Sequence, residues 1–193
     1  TVNANLDNYE LGIALGEIYS FTWDSFCDWY IEMVKSRIFD TGSASALTAK
    51  RVLVKVLTGI LKLLHPFMPF ITEEIYQALP HDTESIMISE FPTECEALRF
   101  PEEAEKMERI IDAITAIRAR RSDMNVVPSR KAKVYIATKY PESFGASTHP
   151  FFARLASASE VEVAASFDES VVSADNAVQI ITDSATVYLP LSD

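Results

Sequence analysis

The strongest helix signal in the chain lies at residues 44–65, which read ASALTAKRVLVKVLTGILKLLH. On a wheel of 100° per residue, apolar side chains cover a broad arc of this helix, and polar side chains form a narrow stripe on the opposite side. The stripe consists of Thr48, Arg51, Lys55, Thr58 and Lys62. So wide an apolar arc predicts a helix that is packed on more than one side.

Helical patterns also flank this segment on both sides. The further predicted helices cover residues 8–38, about 72–79 and 101–123. The first is expected to be one long helix or two nearly collinear ones. Because Pro66 and Pro69 interrupt the chain after residue 65, the next helix is expected to begin at Thr72. The short apolar run at residues 86–88 is interpreted as extended chain.

The pattern changes character at residues 125–128, after which short β-branched and aromatic runs appear. These runs lie at residues 133–137, 161–163, 178–181 and 186–189, with a helix predicted at 150–156. The sequence therefore predicts a mainly α protein, with a helical domain at residues 1–125 and a small α+β domain at residues 126–193. The strand order of the second domain stays open at this point.

Composition excludes several classes of site. The chain has 193 residues, a net charge of −11, five glycines, two cysteines and three histidines. No glycine-rich phosphate loop occurs, and two cysteines cannot build a disulfide framework or a four-ligand zinc site. The histidines are scattered and lack metal-ligand spacing. We therefore predict no catalytic residues, no metal ligands and no membrane partner, and a cytoplasmic location.

Positive charge is concentrated in one part of this acidic chain. Residues 109–133 carry seven basic and two acidic side chains, whereas residues 160–193 carry seven acidic side chains and no lysine or arginine. Candidate phosphate ligands are Arg118, Arg120, Arg121, Arg130 and Lys131. Arg118 and Arg121 are one helical turn apart, so both are expected to face one stretch of phosphates. A solvated helix face is the alternative interpretation.

Aromatic side chains line the margin of the predicted first helix at Tyr19, Trp23, Phe26 and Tyr30. Such rings can stack on nucleobases, and packing in the core is the alternative. Trp23 and Tyr30, with Lys35 and Arg37 further along the same helix, are the candidates for contact with unpaired bases and their phosphates.

Two segments resemble a known enzyme family. LHPFMPFITEEIY at residues 64–76 resembles the helical anticodon-binding domain of class I aminoacyl-tRNA synthetases of the valine, isoleucine, leucine and methionine group. WDSFCDWYIE at residues 23–32, followed by Lys35, resembles the valine members most closely. Residues 117–128 and 186–191 are also similar to passages of the valine enzymes.

This resemblance implies a tRNA-binding fragment of a valine–tRNA ligase that positions tRNA(Val) for aminoacylation by a catalytic domain. The parent enzyme would use ATP and Mg²⁺, and because the HIGH and KMSKS signatures do not occur here, no cofactor is expected in this segment. The basic cluster is assigned to the tRNA backbone, and Trp23, Tyr30, Lys35 and Arg37 to the anticodon arm.

The resemblance further implies neighbouring parts of a longer protein. In the family, one or two helices precede the position of Asn8, and a coiled-coil arm follows the strand at residues 186–191. The remaining domains of the parent are therefore expected partners. Without them, the helical domain is expected to expose an apolar face or to bury it in a dimer.

Two alternatives stay open. The chain could be a helical protein-interaction module that docks other domains and has no direct role with tRNA. It could also be the equivalent fragment of an isoleucyl-tRNA synthetase.

Overall fold

The computed structural model describes residues 1–40, 42–127, 129–168 and 177–190. These form two compact units, Thr1–Leu98 and Arg99–Asp193, called unit 1 and unit 2 below. In the described residues, unit 1 is helical and unit 2 combines helices with a four-stranded sheet. The predicted fold class, mainly α with a small α+β part, is confirmed.

Unit 1 consists of helices joined by short turns, followed by a connector at residues 79–98. The helices are α1 (Val2–Asp7), α2 (Leu11–Ser20), a π-helical segment (Phe21–Ile31), α3 (Glu32–Ile38), α4 (Ala44–Leu64) and α5 (Pro69–Ala78). Unit 2 contains α6 (Pro101–Asp123), β1 (Ala132–Thr138), α7 (His149–Leu155), β2 (Ala158–Ala164), β3 (Val178–Ile181) and β4 (Ala185–Leu189).

The long helix predicted at residues 8–38 is confirmed from Leu11 to Ile38, with one difference in its geometry. Its central eleven residues, Phe21–Ile31, form π-helical turns with i→i+5 hydrogen bonds. Ile18, Phe26 and Met33 are the large apolar side chains of this segment at helical spacing that are buried. Because π turns rotate each residue by less than an α turn does, side chains beyond Phe21 shift relative to the α-helical wheel.

Helix α5 begins three residues before the predicted start, at Pro69 rather than Thr72. A proline is tolerated in the first helical turn because its missing N–H has no intrahelical partner there. Thr72 instead lies inside the helix and is buried, and its hydroxyl donates to the Met68 carbonyl at 2.8 Å. His65 Nδ1 lies 2.8 Å from the same hydroxyl oxygen. Since the hydroxyl proton is already donated, the Nδ1 proton of His65 points to Thr72.

Side chains of α5 hold the connector against that helix, and the Glu73 carboxylate makes two of these contacts. Glu73 accepts hydrogen bonds from Gln77 Nε2 at 2.7 Å, from the Ser85 hydroxyl at 2.8 Å and from the Ile86 amide at 3.1 Å. These bonds place Ile86 in a core cluster with Leu61 of α4 and Tyr76 of α5. The extended conformation predicted for residues 86–88 is wrong: they form a 3₁₀ turn, because the Ser85 hydroxyl accepts from the Met87 amide.

We expect Glu73→Ala to destabilise unit 1 at neutral pH. Hydrogen bonds, chiefly from Gln77 and then from Ser85, hold the pKa of the Glu73 carboxyl below its ordinary value of 4.5. The folded state therefore releases this proton more readily than the unfolded state. The stabilisation is present above the ordinary pKa and is lost as the pH falls through the lowered one.

Urea unfolding of the unsubstituted 193-residue chain and of its Glu73→Ala variant at several pH values measures this contribution. The difference in free energy of unfolding should be largest at pH 7 and should shrink as the pH falls below about 4. Glu74→Ala, at the adjacent exposed carboxylate, is the matched control and should change stability little. A pH-independent difference would contradict the assignment.

The sheet of unit 2 has the strand order β2-β1-β4-β3. β1 and β2 are parallel and are joined through α7, while β4 is antiparallel to both of its neighbours. The helix predicted between the first two strands is confirmed, since a parallel pair requires a crossover connection. Side chains from this unit form a buried core that includes Val134, Ile136, Phe144, Phe152 and Val187.

Helix α6 belongs to unit 2. Its buried face consists of Ile110, Ala113, Ile114 and Ile117, and it contacts β3 and β4. The boundary between the two compact units therefore lies between Leu98 and Arg99 rather than near residue 126, because α6 covers the sheet. The assignment of residues 1–125 and 126–193 to two functional domains stays a prediction.

Two glycines are expected to respond oppositely to alanine. Gly59 lies inside α4, and a Cβ atom there would meet no atom within 4 Å. Gly59→Ala should raise the free energy of unfolding by about 0.5–1 kcal/mol because alanine loses less backbone entropy in a helix. Gly42 has φ +107°, so Gly42→Ala should instead lower it, by about 1 kcal/mol. Denaturant titration of both variants measures these changes. Equal changes in the free energy of unfolding for the two variants would contradict the prediction.

Candidate nucleic-acid interface

The predicted basic cluster lies at the C-terminal end of α6 and in the segment that leads into β1. The side chains of Arg118, Arg120, Arg130 and Lys131 are exposed, whereas Arg121 is only 8% exposed. The expectation that Arg118 and Arg121 face one stretch of phosphates is therefore wrong. Arg121 points into unit 2, and the exposed cationic surface consists of the other four residues, called the basic cluster below.

Arg121 closes the turn after α6. Its guanidinium donates to the backbone carbonyl of Arg130 and, at 3.5 Å, to that of Val127. Burial, followed by the positive charge of Arg130, lowers the pKa of Arg121. Asn125 in the same turn has φ +54°, a left-handed conformation common just after a helix. Arg121 thus fixes the backbone that presents Arg130 and Lys131 to solvent.

Two other basic residues of the segment 109–133 are neutralised within unit 2. Arg109 pairs with Glu105 at 3.1 Å and lies over the Tyr140 ring at 4.1 Å. Lys133 bridges to Glu162 at 2.6 Å and Glu160 at 3.3 Å on the neighbouring strand β2. The hydrogen bond to Glu162 is the main reason that the pKa of Lys133 is raised. The positive field of this segment therefore originates mainly from the basic cluster.

The aromatic margin of the first long helix divides into exposed and packed rings. Trp23 is 51% exposed and Tyr19 is 63% exposed, and their ring centroids are 6.3 Å apart. Phe26 is buried, and the half-buried Tyr30 ring stacks on it at 6.1 Å. Burial raises the pKa of Tyr30, although the charge of Arg37 opposes this. Trp23 thus presents a ring to solvent, while one face of Tyr30 is occupied.

The two cations beyond these rings have local partners. Lys35 forms an ion pair with Glu32 one turn earlier. Arg37 donates from Nε to the Ser45 hydroxyl at 2.9 Å and from Nη2 to the Ser45 carbonyl at 3.4 Å. Arg37 thereby links the end of α3 to the start of α4. The assignment of Trp23, Tyr30, Lys35 and Arg37 to the anticodon arm, and of the basic cluster to the tRNA backbone, stays a prediction.

Sequence reasoning missed a groove of about 660 Å³ in unit 1. It is lined by Lys55, Gly59 and Lys62 of α4 and by residues of the connector, including His81 and Phe91. The polar stripe of α4 predicted an exposed side, but the connector has no periodic pattern. Nothing in the sequence indicated that residues 80–93 would fold back beside that stripe.

Unit 1 also exposes large apolar side chains near the LHPFMPF segment. The exposed fractions are 91% for Phe70, 75% for Met87 and 67% for Ile88. The apolar face expected to be left uncovered lies on the helices at residues 8–38 and 44–65, and these three side chains are outside it. That expectation stays a prediction, as does a dimer that buries this face.

Within the described residues, no three His, Cys, Asp or Glu side chains lie together in a way that could hold a metal ion. The same part of the chain contains no helix that is both long and apolar enough to span a membrane.

A family model described as the anticodon-binding domain of tRNA ligase matches residues 1–136. This chain belongs to that family. Over its full length it is similar to valine–tRNA ligases, with 44% identity to that of Clostridium acetobutylicum over 194 residues and 36% to that of Bacillus cereus over 195 residues. The valine–tRNA ligase of Geobacillus kaustophilus is 37% identical over 193 residues.

The resemblance to a synthetase anticodon-binding domain is thus confirmed, and these relatives are enzymes of the valine type. The chain spans about a fifth of their length, with 22% of each relative matched. The matched family covers all of unit 1, α6 and most of β1. Trp23 and all four residues of the basic cluster therefore lie within the anticodon-binding family domain.

Arg118 and Arg121, which were predicted from the sequence to have the same role, are expected to differ in their effect on stability. Arg121→Ala should lower the free energy of unfolding by about 1–3 kcal/mol, because it leaves the Val127 and Arg130 carbonyls without their donor. Arg118→Ala, three residues earlier and exposed, should change it by less than about 0.5 kcal/mol. Guanidinium unfolding followed by circular dichroism compares them. Equal effects would show that Arg121 does not hold the turn.

Proposed function

We propose that this chain binds the anticodon arm of tRNA(Val) and orients the tRNA so that a catalytic domain of the whole ligase can attach valine to it. The observation that carries the proposal is an exposed basic cluster within an anticodon-binding family domain. The similarity of this whole chain to a segment of valine–tRNA ligases supports the choice of tRNA(Val) over other tRNAs.

The two candidate surfaces would contribute different interactions. The basic cluster is suited to phosphate oxygens, and such contacts position a nucleic acid without reading its sequence. The exposed ring of Trp23, beside Tyr19, is suited to stacking on an unpaired base. Tyr30, Lys35 and Arg37 would support this second surface, with Arg37 also holding the α3–α4 turn.

The charge distribution restricts where RNA can bind. The chain carries a net charge of −11, so a polyanion is repelled from most of its surface. A local basic cluster on such a background favours one orientation of the bound RNA. Binding should therefore be weak, strongly salt-dependent and confined to few phosphates.

The parent ligase would use ATP and Mg²⁺ in activating valine. Within the described residues, no acidic or histidine cluster fits a metal ion. The residues present therefore do not fit Mg²⁺, and no step of the reaction is assigned to this chain. Its proposed contribution is binding and orientation only.

The test is a titration of the 193-residue chain with tRNA(Val) and with a non-cognate tRNA at two salt concentrations. We expect tighter binding to tRNA(Val), weakening steeply as salt increases. Arg118→Glu and Arg120→Glu should each weaken binding several-fold for both tRNAs and reduce the slope of log K against log salt by about one.

Lys139→Glu is the matched control, because it reverses an exposed charge of unit 2 outside the basic cluster. It should leave both affinity and salt slope nearly unchanged. If Arg118→Glu and Arg120→Glu behave like Lys139→Glu, the basic cluster does not contact the tRNA backbone. If neither tRNA binds at low salt, the chain does not bind tRNA by itself.

A second candidate function is docking of another protein domain, and the exposure of Phe70 at 91% favours it. Apolar docking differs from RNA binding in being insensitive to salt. A Phe70→Ser variant that loses binding to the rest of the ligase but keeps tRNA affinity would establish a docking surface separate from the RNA surface. Loss of tRNA affinity in the same variant would contradict that separation.

A further inference from the structure

The groove of unit 1 lies outside both surfaces assigned above. It is a shallow groove of about 660 Å³ that is largely open to solvent. The α4 side of the groove contains Lys55, Thr58, Gly59 and Lys62. The remaining lining belongs to Tyr76 and to the connector at residues 80–93.

Two positive charges flank the groove on α4. Lys55, Gly59 and Lys62 have the spacing i, i+4, i+7, so they lie on one face of the helix. Their separation along the axis is about 10 Å, with Gly59 between them. Among the described residues, neither lysine has a hydrogen-bond or ion-pair partner. Both ammonium groups are therefore available to one anion above Gly59.

Gly59 leaves the space between the lysines open. A Cβ atom at this position would meet nothing within 4 Å, so packing within the protein does not require glycine here. Glycine inside a helix costs about 1 kcal/mol relative to alanine. Glycine does allow a ligand to approach the backbone closely. The missing side chain thus enlarges the groove between the positions of the two lysines on α4.

The connector adds aromatic and polar groups. Phe91 is 43% exposed and lines the groove. His81 Nδ1 lies 2.8 Å from the Leu79 carbonyl, which can only accept, so Nδ1 donates and Nε2 is left for a ligand. The exposed carboxylate of Glu90 can accept from an amino group, whereas Asp82 already accepts from the Tyr76 hydroxyl at 3.2 Å.

We propose that this groove binds a nucleoside 5′-phosphate unit. The phosphate lies between Lys55 and Lys62 above Gly59, and the base stacks on Phe91 with its edge toward Glu90 and His81. Aromatic stacking with nearby positive charge is the usual way to hold one unpaired nucleotide. The carboxylates in the lining disfavour a bare polyanion, so the ligand needs a hydrogen-bond donor as well as a phosphate.

The nucleotide unit has two possible sources with the same chemistry. If the unit is an unpaired nucleotide of bound RNA, the groove proposal rests on the proposed function and adds a third RNA-contact surface to the chain. As a free nucleotide, it is independent of that function. The experiment below separates these sources.

The first experiment is an NMR titration of the ¹⁵N-labelled chain with AMP, adenosine and inorganic phosphate. The chain has only five glycines, so the Gly59 amide is a convenient probe. AMP should shift the amides of Gly59, Lys62 and Phe91 and should saturate at a concentration at least tenfold lower than adenosine or phosphate. Equal binding of phosphate and AMP would overturn the assignment of the base.

Variants test the placement of the phosphate. Gly59→Leu fills the groove, and Lys55→Glu combined with Lys62→Glu reverses its charge. Each should lower AMP affinity at least tenfold, while Lys50→Glu on the same helix but outside the groove should not. Circular dichroism verifies folding, and the lysine pair tests the proposal even if Gly59→Leu does not fold. Unchanged AMP affinity in the lysine pair would overturn it.

A five-nucleotide unstructured RNA identifies the source. Tighter binding of this RNA than of AMP, with shifts at the same residues, supports a nucleotide of bound RNA. Tighter binding of AMP supports a free nucleotide. If tRNA binds but AMP produces no shift at Gly59, the groove proposal fails and the proposed function stands. If AMP shifts Gly59 but no tRNA binds, the proposed function fails and the groove stands.

Discussion

Unit 1 depends on burial of the apolar arc of α4. A helix with so broad an arc must be covered on more than one side, and Leu61 achieves this by packing with Tyr76 of α5 and Ile86 of the connector. The connector has little periodic structure, so its position requires polar anchors as well as apolar contacts. Glu73 supplies two of them, by accepting from the Ser85 hydroxyl and the Ile86 amide. The groove beside Gly59 exists because this connector folds back against α4 and α5.

In unit 2, several basic side chains form internal hydrogen bonds and ion pairs instead of facing solvent. Arg121 gives its guanidinium to backbone carbonyls of the turn after α6, and this turn carries Arg130 and Lys131. Arg109 and Lys133 are used in internal pairs. A buried cation thus shapes the backbone from which exposed cations reach a ligand. Counting basic residues in a segment therefore overestimates how many can contact RNA.

The sequence was most informative where a periodic pattern or a family motif was present. The helices at α4 and α6, the helical path from Leu11 to Ile38 and the four strands of unit 2 were each predicted within a few residues. The family was identified from residues 23–32 and 64–76, and the match over residues 1–136 confirms it. The start of α5 was misplaced because Thr72 resembles a helix cap, whereas the chain uses Pro69 and buries the Thr72 hydroxyl.

The sequence by itself determined the classes of element, their order and the family, because hydrophobic spacing and motif residues are local properties of the chain. Only the tertiary structure decided that Arg121 points inward while Arg118 points to solvent, and that α6 belongs with the sheet. It also decided the strand order β2-β1-β4-β3 and brought Lys55, Lys62 and Phe91 to one groove. These outcomes depend on contacts between residues far apart in the chain, which no local pattern specifies.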